Sequence, residues 1–177
     1  ASDRIKVIDS ANLSTGIGLL VIEAAEMAQQ GKSAAEITAR IEELKPLVRA
    51  SFVVDTLTYL YRGGRCSGLA ALAGGALKLH PRIGVEDGKM GPGKKYRGNM
   101  EKVVLSYVKD MEEAMKNARP ERVFITHSGS APEIVDKVRA YLNDLHVFRE
   151  ILETRAGGVV SSHCGPGTLG VLFIAKE

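Results

Sequence analysis

The chain has 177 residues, of which 45% are hydrophobic and 25% charged, and this length and composition are typical of one globular domain, or of one domain with part of another. The 24 basic and 21 acidic residues leave a formal net charge of only +3. There is no Trp, and there are only four Phe and five Tyr. This pattern argues against a nucleic-acid-binding protein, which usually carries a basic stripe interleaved with aromatic residues.

Cysteine usage and hydropathy indicate a cytoplasmic protein. Cys66 and Cys164 lie far apart without a CxxC partner, so neither a disulfide framework nor a zinc site is supported. No HExxH motif and no acidic or histidine cluster has metal-ligand spacing, and we expect no metal or other cofactor. No apolar run reaches the roughly 18 residues that span a bilayer. Residues 1–7 lack both an initiator Met and the apolar core of a signal peptide, so the chain looks cut from a longer one.

The predicted elements mix helices with strands from the start of the chain. Asn12 and Ser14 are candidate caps for the first helix, and Ser33 with Glu36 has the spacing of a capping box. Thr56 is a candidate cap for a short helix. The elements predicted in this part are a strand at residues 5–8, helices at about 14–30 and 33–45, a strand at 51–54 and a short helix at 56–61.

The second part of the chain predicts a hairpin, further helices and three more strands. Asp87 and Gly88 form a typical two-residue turn between strands, and the Gly-Pro-Gly at residues 91–93 would weaken or bulge the second strand. The other predicted elements are a small-residue, buried apolar helix at 69–79, helices at 99–118 and 132–142, and strands at 122–126, 147–153 and 169–174. Crossovers together with a hairpin predict an α/β or α+β fold with a mixed sheet.

Three segments carry alternatives that spacing leaves open. Residues 15–18 (Thr-Gly-Ile-Gly) lie where a phosphate-binding turn would lie, but they match neither GxGxxG nor a P-loop, and helix-packing glycines are the alternative. Residues 62–65 (Arg-Gly-Gly-Arg) present two guanidinium groups suited to a carboxylate or phosphate, and a helix C-cap with solvated arginines is the alternative. Strand alternation in residues 94–97 sends Lys95 and Arg97 to one face, where a solvated sheet edge is the alternative to a binding role.

Two histidines, His127 and His163, lie at the ends of predicted strands, at the edge where ligands gather in open α/β sheets. As neighbours on a strand, His163 and Cys164 would point to opposite faces and would not form a nucleophilic pair. Cys164 with His127 remains open, and a buried, hydrogen-bonded histidine is the alternative. The residues alone predict a cytoplasmic α/β protein that holds an anion near arginine and histidine side chains.

Four ordered segments resemble the DegV family. Residues 7–18 are similar to its "viDS…s.g.G" motif, and residues 57–65 to its "L.yL.kGGR" signature. Residues 79–97, with the Asp-Gly hairpin, resemble "iKPil…dG.i…k.R", and residues 163–167 (His-Cys-Gly-Pro-Gly) resemble "H.GPG". The order and the spacing of these segments agree across nearly the whole chain.

The resemblance implies a long-chain fatty-acid-binding protein rather than an enzyme. Family members hold one fatty acid between an N-terminal α/β domain and a C-terminal α+β domain, and several are the acyl-carrying subunit of a bacterial fatty acid kinase. A separate kinase chain phosphorylates the carboxylate, and the acyl phosphate feeds phospholipid synthesis. By this resemblance, residues 1–48 would be a remnant of the N-terminal domain and residues 49–177 the C-terminal domain, with about the first hundred residues of the family pattern missing.

The same resemblance implies the site residues. His163 would bind the fatty-acid carboxylate, while Arg62, Arg65 and Arg97 would lie at the pocket mouth, where the kinase chain docks. A buried carboxylate needs charge-assisted donors, and an acyl tail needs an apolar tunnel. The possible tunnel-lining residues, in the apolar helix, are Leu69, Leu72 and Leu77.

Some features depart from the family pattern and keep other functions open. His80 stands where Lys is common, Cys66 stands where Ile is usual, and a Ser/Thr-rich loop that supplies hydroxyls to the carboxylate is absent from this sequence. One alternative is a stand-alone phosphotransferase or hydrolase that uses His127, His163 and Cys164. Another is an interaction module that meets a partner through an exposed apolar surface.

Overall fold

Helices pack on both faces of one mixed sheet in the computed structural model, which describes residues 5–65 and 79–177. The helices among these residues are α1 (Thr15–Gln29), α2 (Ala34–Leu44), α3 (Thr58–Arg62), α4 (Met100–Asp110), α5 (Glu112–Lys116), α6 (Pro132–Asp144) and α7 (Gly158–Cys164). A short 3-10 helix, Lys45–Leu47, joins α2 to the first strand. The strands are β1 (Val48–Val53), β2 (Leu79–Glu86), β3 (Lys89–Arg97), β4 (Ala118–His127), β5 (Glu150–Arg155) and β6 (Leu169–Ala175).

The sheet has six strands in the order β3-β2-β1-β6-β4-β5. Neighbouring strands are antiparallel except β4 and β5, which run parallel. Every residue of the central strand β6 is buried, which accounts for its nearly continuous apolar sequence, since a strand covered on both faces has no polar side. The predicted mixed α/β fold is therefore confirmed.

Alternation along β6 divides the core between the two faces of the sheet. Val171 and Phe173 face α4, α5 and α6 in the largest apolar cluster. Leu172 and Ile174 point the other way, into a cluster with α1 and α2. A third cluster contains side chains from β1, β2, α3 and α7. The candidate site is built around this third cluster.

Local sequence signals correctly predicted several element ends. Ser33 and Glu36 form the reciprocal capping box at the start of α2, and the Asn99 side chain accepts a backbone N–H from the first turn of α4. Asp87 and Gly88 both have positive φ, 49° and 72°, as the type I′ hairpin turn requires. The β2–β3 ladder also contains the predicted irregularity near residues 91–93, as a register shift between the pairs Pro81–Lys95 and Ile83–Pro92.

Other predicted boundaries were wrong. Residues 5–8 do not form a strand, and the side chains of Ile5 and Val7 are 67% and 93% exposed. Ser14 precedes α1 but makes no side-chain cap hydrogen bond. The predicted helix at 99–118 is divided at Met111 into α4 and α5, and β4 already begins at Ala118.

The most consequential correction concerns residues 158–164, which form helix α7 rather than the end of a strand. His163 therefore lies on a helix, and the argument that His163 and Cys164 point to opposite faces of a strand does not apply. The strand before α7 also begins later than predicted, at Glu150. The predicted apolar helix, with Leu69, Leu72 and Leu77, lies outside the described residues except for Leu79, which begins β2.

Across residues 5–65 and 79–177, no helix combines the length and the apolar character that crossing a membrane requires.

Candidate functional site

The Arg-Gly-Gly-Arg segment ends α3 as a Schellman motif. The Arg65 N–H donates to the Leu60 carbonyl (2.9 Å), and the Gly64 N–H donates to the Tyr61 carbonyl (3.0 Å). Gly64 has a φ of 70°, the left-handed conformation that this cap places on glycine. The helix C-cap is therefore the correct local interpretation, and it leaves the side chains of Arg62 and Arg65 exposed.

The same segment packs against α7. A Cβ atom at Gly63 would lie 3.1 Å from Cδ2 of the His163 ring, so the imidazole lies directly on the backbone of residue 63. A Cβ atom at Gly165 would lie 2.3 Å from Cδ2 of Tyr59 in α3. Two glycines, one from each signature segment, thus allow α3 and α7 to approach closely.

The His163 ring has a buried nitrogen whose hydrogen bonding is not satisfied within the described part of the chain. Nε2 is buried and has no hydrogen-bond partner among residues 5–65 and 79–177, whereas Nδ1 lies 3.4 Å from the Ser162 hydroxyl. Buried polar atoms in folded proteins nearly always have a partner. Nε2 is therefore suited to bind a polar group of a ligand.

An apolar cluster lies next to this histidine. Its buried members come from both helices and from the sheet, and they are Phe52, Val54, Leu60, Ile83 and Cys164. The partly buried side chains packed against them are Leu13, Leu57, Met90 and Val160. A carboxylate at His163 would thus adjoin apolar side chains, which is the arrangement that an amphipathic ligand requires.

His80 lies between the end of β3, which carries Arg97, and the residues that precede α3. Its Nε2 lies 3.0 Å from the carbonyl oxygen of Gly98, which follows β3. Nδ1 lies 3.4 Å from Oδ1 of Asp55, although the geometry makes no hydrogen bond and this buried nitrogen has no other partner in the described ranges. Asp55 precedes α3, so the His80 ring lies between Gly98, which follows Arg97, and the segment that leads into α3.

The predicted alternation in residues 94–97 is confirmed. Tyr96 is buried and donates a hydrogen bond to Asp110 (2.8 Å), and Lys94 pairs with the same carboxylate at 2.7 Å. Burial and this hydrogen bond raise the pKa of Tyr96. Burial alone would raise the pKa of Asp110, but the hydrogen bonds from Lys94 and Tyr96 hold it below its usual value. Lys95 and Arg97, on the other face, are exposed.

His127 is held by hydrogen bonds at both ring nitrogens. Nδ1 accepts the backbone N–H of Ser130 (3.2 Å), so Nε2 carries the proton that is donated to Glu153 Oε1, also at 3.2 Å. Burial raises the pKa of the Cys164 thiol to about 11, opposite to the lowered pKa that activates a nucleophilic cysteine. Both features count against a catalytic pair of His127 and Cys164.

Residues 15–18 have a packing explanation. A Cβ atom at Gly16 would lie 2.0 Å from the side-chain oxygen of Asn12. The Thr15 hydroxyl lies 2.5 Å from the Thr126 hydroxyl, which in turn lies 2.9 Å from the Thr154 hydroxyl. These hydrogen bonds join the start of α1 to the ends of β4 and β5. The close approach of the Asn12 side chain supports the packing alternative for Gly16, whereas a Cβ atom at Gly18 would make only ordinary contacts with Thr15.

Sequence reasoning missed two residues of this site. Tyr59 belongs to the signature at residues 57–65, but sequence reasoning assigned it no role, and its ring packs against Gly165. Asp55 was not singled out as a neighbour of His80. The aromatic position of that signature is the signal that could have drawn attention to Tyr59. Among residues 5–65 and 79–177, no group of three or more His, Cys, Asp or Glu side chains is arranged to hold a metal ion.

Comparisons with known proteins agree on one family. A family model described as "Uncharacterised protein, DegV family" matches residues 1–176. A DegV domain-containing protein of Deinococcus radiodurans is 33% identical over 95% of this chain and 59% of its own length. One from Caldanaerobacter subterraneus is 34% identical over 98% of this chain and 61% of its own length. The chain thus spans about three fifths of the curated relatives it matches.

Solved structures of DegV family proteins are similar to nearly the whole of this chain, which again covers about three fifths of each. A fatty-acid-binding DegV family protein from Thermus thermophilus has a TM-score of 0.87 and 28% identity, over 97% of this chain and 61% of its own. DegV from Bacillus subtilis, described as a fatty acid binding protein, has a TM-score of 0.77 and 29% identity, over 96% of this chain and 60% of its own.

Proposed function

Because this chain belongs to the DegV family, we propose that it carries part of a long-chain fatty-acid site and acts as a non-catalytic subunit. It presents the bound carboxylate to a separate bacterial fatty acid kinase chain, whose acyl phosphate product feeds phospholipid synthesis. Since the kinase reaction consumes ATP, the proposed location is the cytoplasm. Fatty-acid binding by structural neighbours in Thermus thermophilus and Bacillus subtilis supports the ligand class.

The observation that carries the proposal is the buried Nε2 of His163, which has no partner in the described residues. A carboxylate at this nitrogen would accept a charge-assisted hydrogen bond, which stabilises a complex by about 1.5–3 kcal/mol. The neighbouring apolar cluster suits the first part of an acyl tail. In this proposal, residues 1–48 and 49–177 belong to the two domains of the complete protein, and the remainder of the site comes from the rest of that protein.

Exposed arginines support docking of a kinase chain. Arg62 and Arg65 flank the pair Gly63 and Gly64, and the His163 ring lies on Gly63. Arg97 is exposed at the end of the edge strand β3. Exposed guanidinium groups at a pocket mouth attract an acidic partner surface. They touch no reacting atom in this proposal, so their role is recognition and not catalysis.

The proposal is tested by palmitate binding to the full-length protein after removal of co-purified lipid, measured by isothermal titration calorimetry. We expect His163→Asn to weaken binding about 10- to 100-fold, because one charge-assisted hydrogen bond is lost. His146→Asn is the matched control, since His146 is exposed and has a φ of 52°, a conformation that asparagine tolerates. Equal palmitate affinity in wild type and His163→Asn would contradict the head-group role.

The kinase step is measured in the same preparations by trapping the acyl phosphate with hydroxylamine, with ATP and the purified kinase chain present. Arg65→Glu should lower acyl phosphate formation without lowering the palmitate content, whereas Lys176→Glu, a charge reversal at an exposed residue near the end of the chain, should change neither. Acyl phosphate formation without any kinase chain, abolished by replacing His163 and Cys164, would instead establish the stand-alone enzyme.

A further inference from the structure

A further pocket adjoins α7, and His163 is not among its lining residues. It has a volume of about 440 Å³, lies at the carboxyl ends of the parallel strands β4 and β5, and is lined by residues that include His127, Ser128, Gly129, Arg155, Ser161 and Ser162. Residues 161 and 163 are separated by about 200° around a helix. His163 does not line this pocket, so the pocket is separate from the proposed carboxylate position.

The charged group of this pocket is Arg155, the last residue of β5. Within the described part of the chain, no carboxylate lies within ion-pair distance of its guanidinium group. The nearby carboxylate of Glu153 is already engaged, by Arg139 at 2.6 Å and by His127 at 3.2 Å. The pocket therefore contains an exposed guanidinium group that makes no ion pair within residues 5–65 and 79–177.

Hydrogen-bond donors of the β4–α6 loop lie next to this guanidinium group. Nη2 of Arg155 lies 3.7 Å from the position that a Cβ atom of Gly129 would occupy. The backbone N–H groups on either side of Gly129 already make hydrogen bonds within the protein. The Ser128 N–H donates to the Thr168 carbonyl, and the Ser130 N–H donates to Nδ1 of His127. No acceptor among the described residues binds the Gly129 N–H or the Ser128 hydroxyl proton, so both are available to a ligand.

The third side of the pocket is formed by α7. The Ser161 hydroxyl donates to the Ala156 carbonyl (2.9 Å), and the Ser162 hydroxyl donates to the Val159 carbonyl (2.9 Å). Ser162 is exposed, and its hydroxyl can rotate towards a ligand. The lining thus contains the Arg155 guanidinium group, the Gly129 N–H, and the hydroxyl groups of Ser128 from the loop and Ser162 from α7.

We propose that this pocket binds a phosphate group, either free phosphate or the phosphate of a monoester. Arg155 would make a bidentate pair with two phosphate oxygens, as guanidinium groups commonly do. Ser128 and Gly129 would bind a third oxygen from the loop side. A tetrahedral oxyanion directs its oxygens to several sides of such a pocket, whereas a carboxylate has oxygens in one plane only. The site is distinct from the proposed fatty-acid site, because neither His163 nor the neighbouring apolar cluster lines it, and the two adjoin only where the Ser162 hydroxyl lies 3.4 Å from His163 Nδ1.

The test is a titration of the ¹⁵N-labelled full-length protein with inorganic phosphate and, separately, with methyl phosphate, followed by NMR at the Gly129 amide. We expect a saturable shift, weakened at least about tenfold in Arg155→Gln. Arg155→Lys should bind more weakly than wild type but more tightly than Arg155→Gln, because it keeps the charge and loses the fork. Arg149→Gln, at an exposed arginine just before β5 and at the opposite end of that strand from Arg155, is the matched control and should bind as wild type does.

Several results would overturn the assignment. These are the absence of a saturable Gly129 shift with either phosphate, an unchanged affinity in Arg155→Gln with its spectrum otherwise native, and saturation by acetate with equal affinity. Tighter binding of methyl phosphate than of inorganic phosphate would identify a phosphate ester as the ligand, and the reverse order would identify free phosphate. Palmitate is not used, so failure here leaves the fatty-acid proposal intact, and the reverse also holds.

Discussion

Replacing Gly165 with alanine tests whether close packing of α3 on α7 holds the candidate site together. Gly165 has φ 81° and ψ 170°, a backbone region that is essentially restricted to glycine. Its missing side chain also makes room for an aromatic ring, because a Cβ atom there would lie 2.3 Å from Cδ2 and 2.7 Å from Cε2 of Tyr59. Alanine would therefore introduce backbone strain and a steric clash at the same residue.

The two effects have separate magnitudes. Backbone strain of this kind costs about 1–3 kcal/mol, and overpacking costs about another 1–3 kcal/mol. We expect Gly165→Ala to lower the free energy of unfolding by about 4 kcal/mol, a large part of the total stability of an ordinary domain. Gly167→Ala is the matched control, because Gly167 also has positive φ, 75°, but a Cβ atom there would meet no atom within 4 Å.

The measurement is urea unfolding followed by circular dichroism, carried out as a double-mutant cycle with Tyr59→Ala. Removing the ring relieves the clash but not the strain, so the cycle should give a favourable coupling of about 1–3 kcal/mol between the two substitutions. If Gly165→Ala costs no more than Gly167→Ala, or if the coupling is near zero, the contact with Tyr59 does not determine why residue 165 is glycine.

Two further predictions concern a buried thiol and a buried ion pair. Burial raises the pKa of Cys164 from an ordinary 9.0 to about 11, so in a Cys66→Ser background the native thiol should react slowly with Ellman's reagent at pH 8. Because the raised pKa favours the protonated thiol in the folded state, the contribution of Cys164 to stability is complete below pH 9 and is lost towards pH 11. The pH dependence of the free energy of unfolding, compared between Cys66→Ser and Cys66→Ser with Cys164→Ala, tests this direction. Glu23 is buried and paired with Arg119 through two contacts of 3.1 Å, so Glu23→Gln should lower stability by about 3 kcal/mol. Glu43→Gln, in an exposed pair, should cost less than about 1 kcal/mol by the same urea assay, and equal losses would contradict the argument.

Much of the fold could be predicted because its signals are local. The capping box at Ser33, the cap at Asn99 and the turn at Asp87 depend on residues within three or four positions of each other. The burial of β6 could be read from its uninterrupted apolar sequence. Each of these features is determined by neighbours in the chain and needs no knowledge of the rest of the structure.

Helix α7 was mistaken for a strand because its stability comes from distant residues. Gly158 and two valines give the segment little intrinsic helix propensity. As a helix, however, it places Val160 and Cys164, four positions apart, together in the cluster with Phe52 and Ile83. Tertiary burial thus outweighs local propensity, and no window of sequence around α7 contains that information.

The candidate site was predictable only in part, for the same reason. Family resemblance identified His163 and the glycines of both signature segments, but not the contacts between them. The His163 ring lies on Gly63, and the Tyr59 ring occupies the space beside Gly165. These contacts join residues about a hundred positions apart, and only the folded chain brings them together.

The position of His163 is therefore determined by packing from several elements and not by α7 alone. A seven-residue helix is too short to be stable in isolation. One side of α7 is held by the buried Cys164, another by the contacts of His163 and Gly165 with α3, and a third by the Ser161 bond to the residue-156 carbonyl. The candidate carboxylate and phosphate positions both adjoin this one helix, so both depend on the packing of α7 against the Arg-Gly-Gly-Arg segment and Tyr59 of α3.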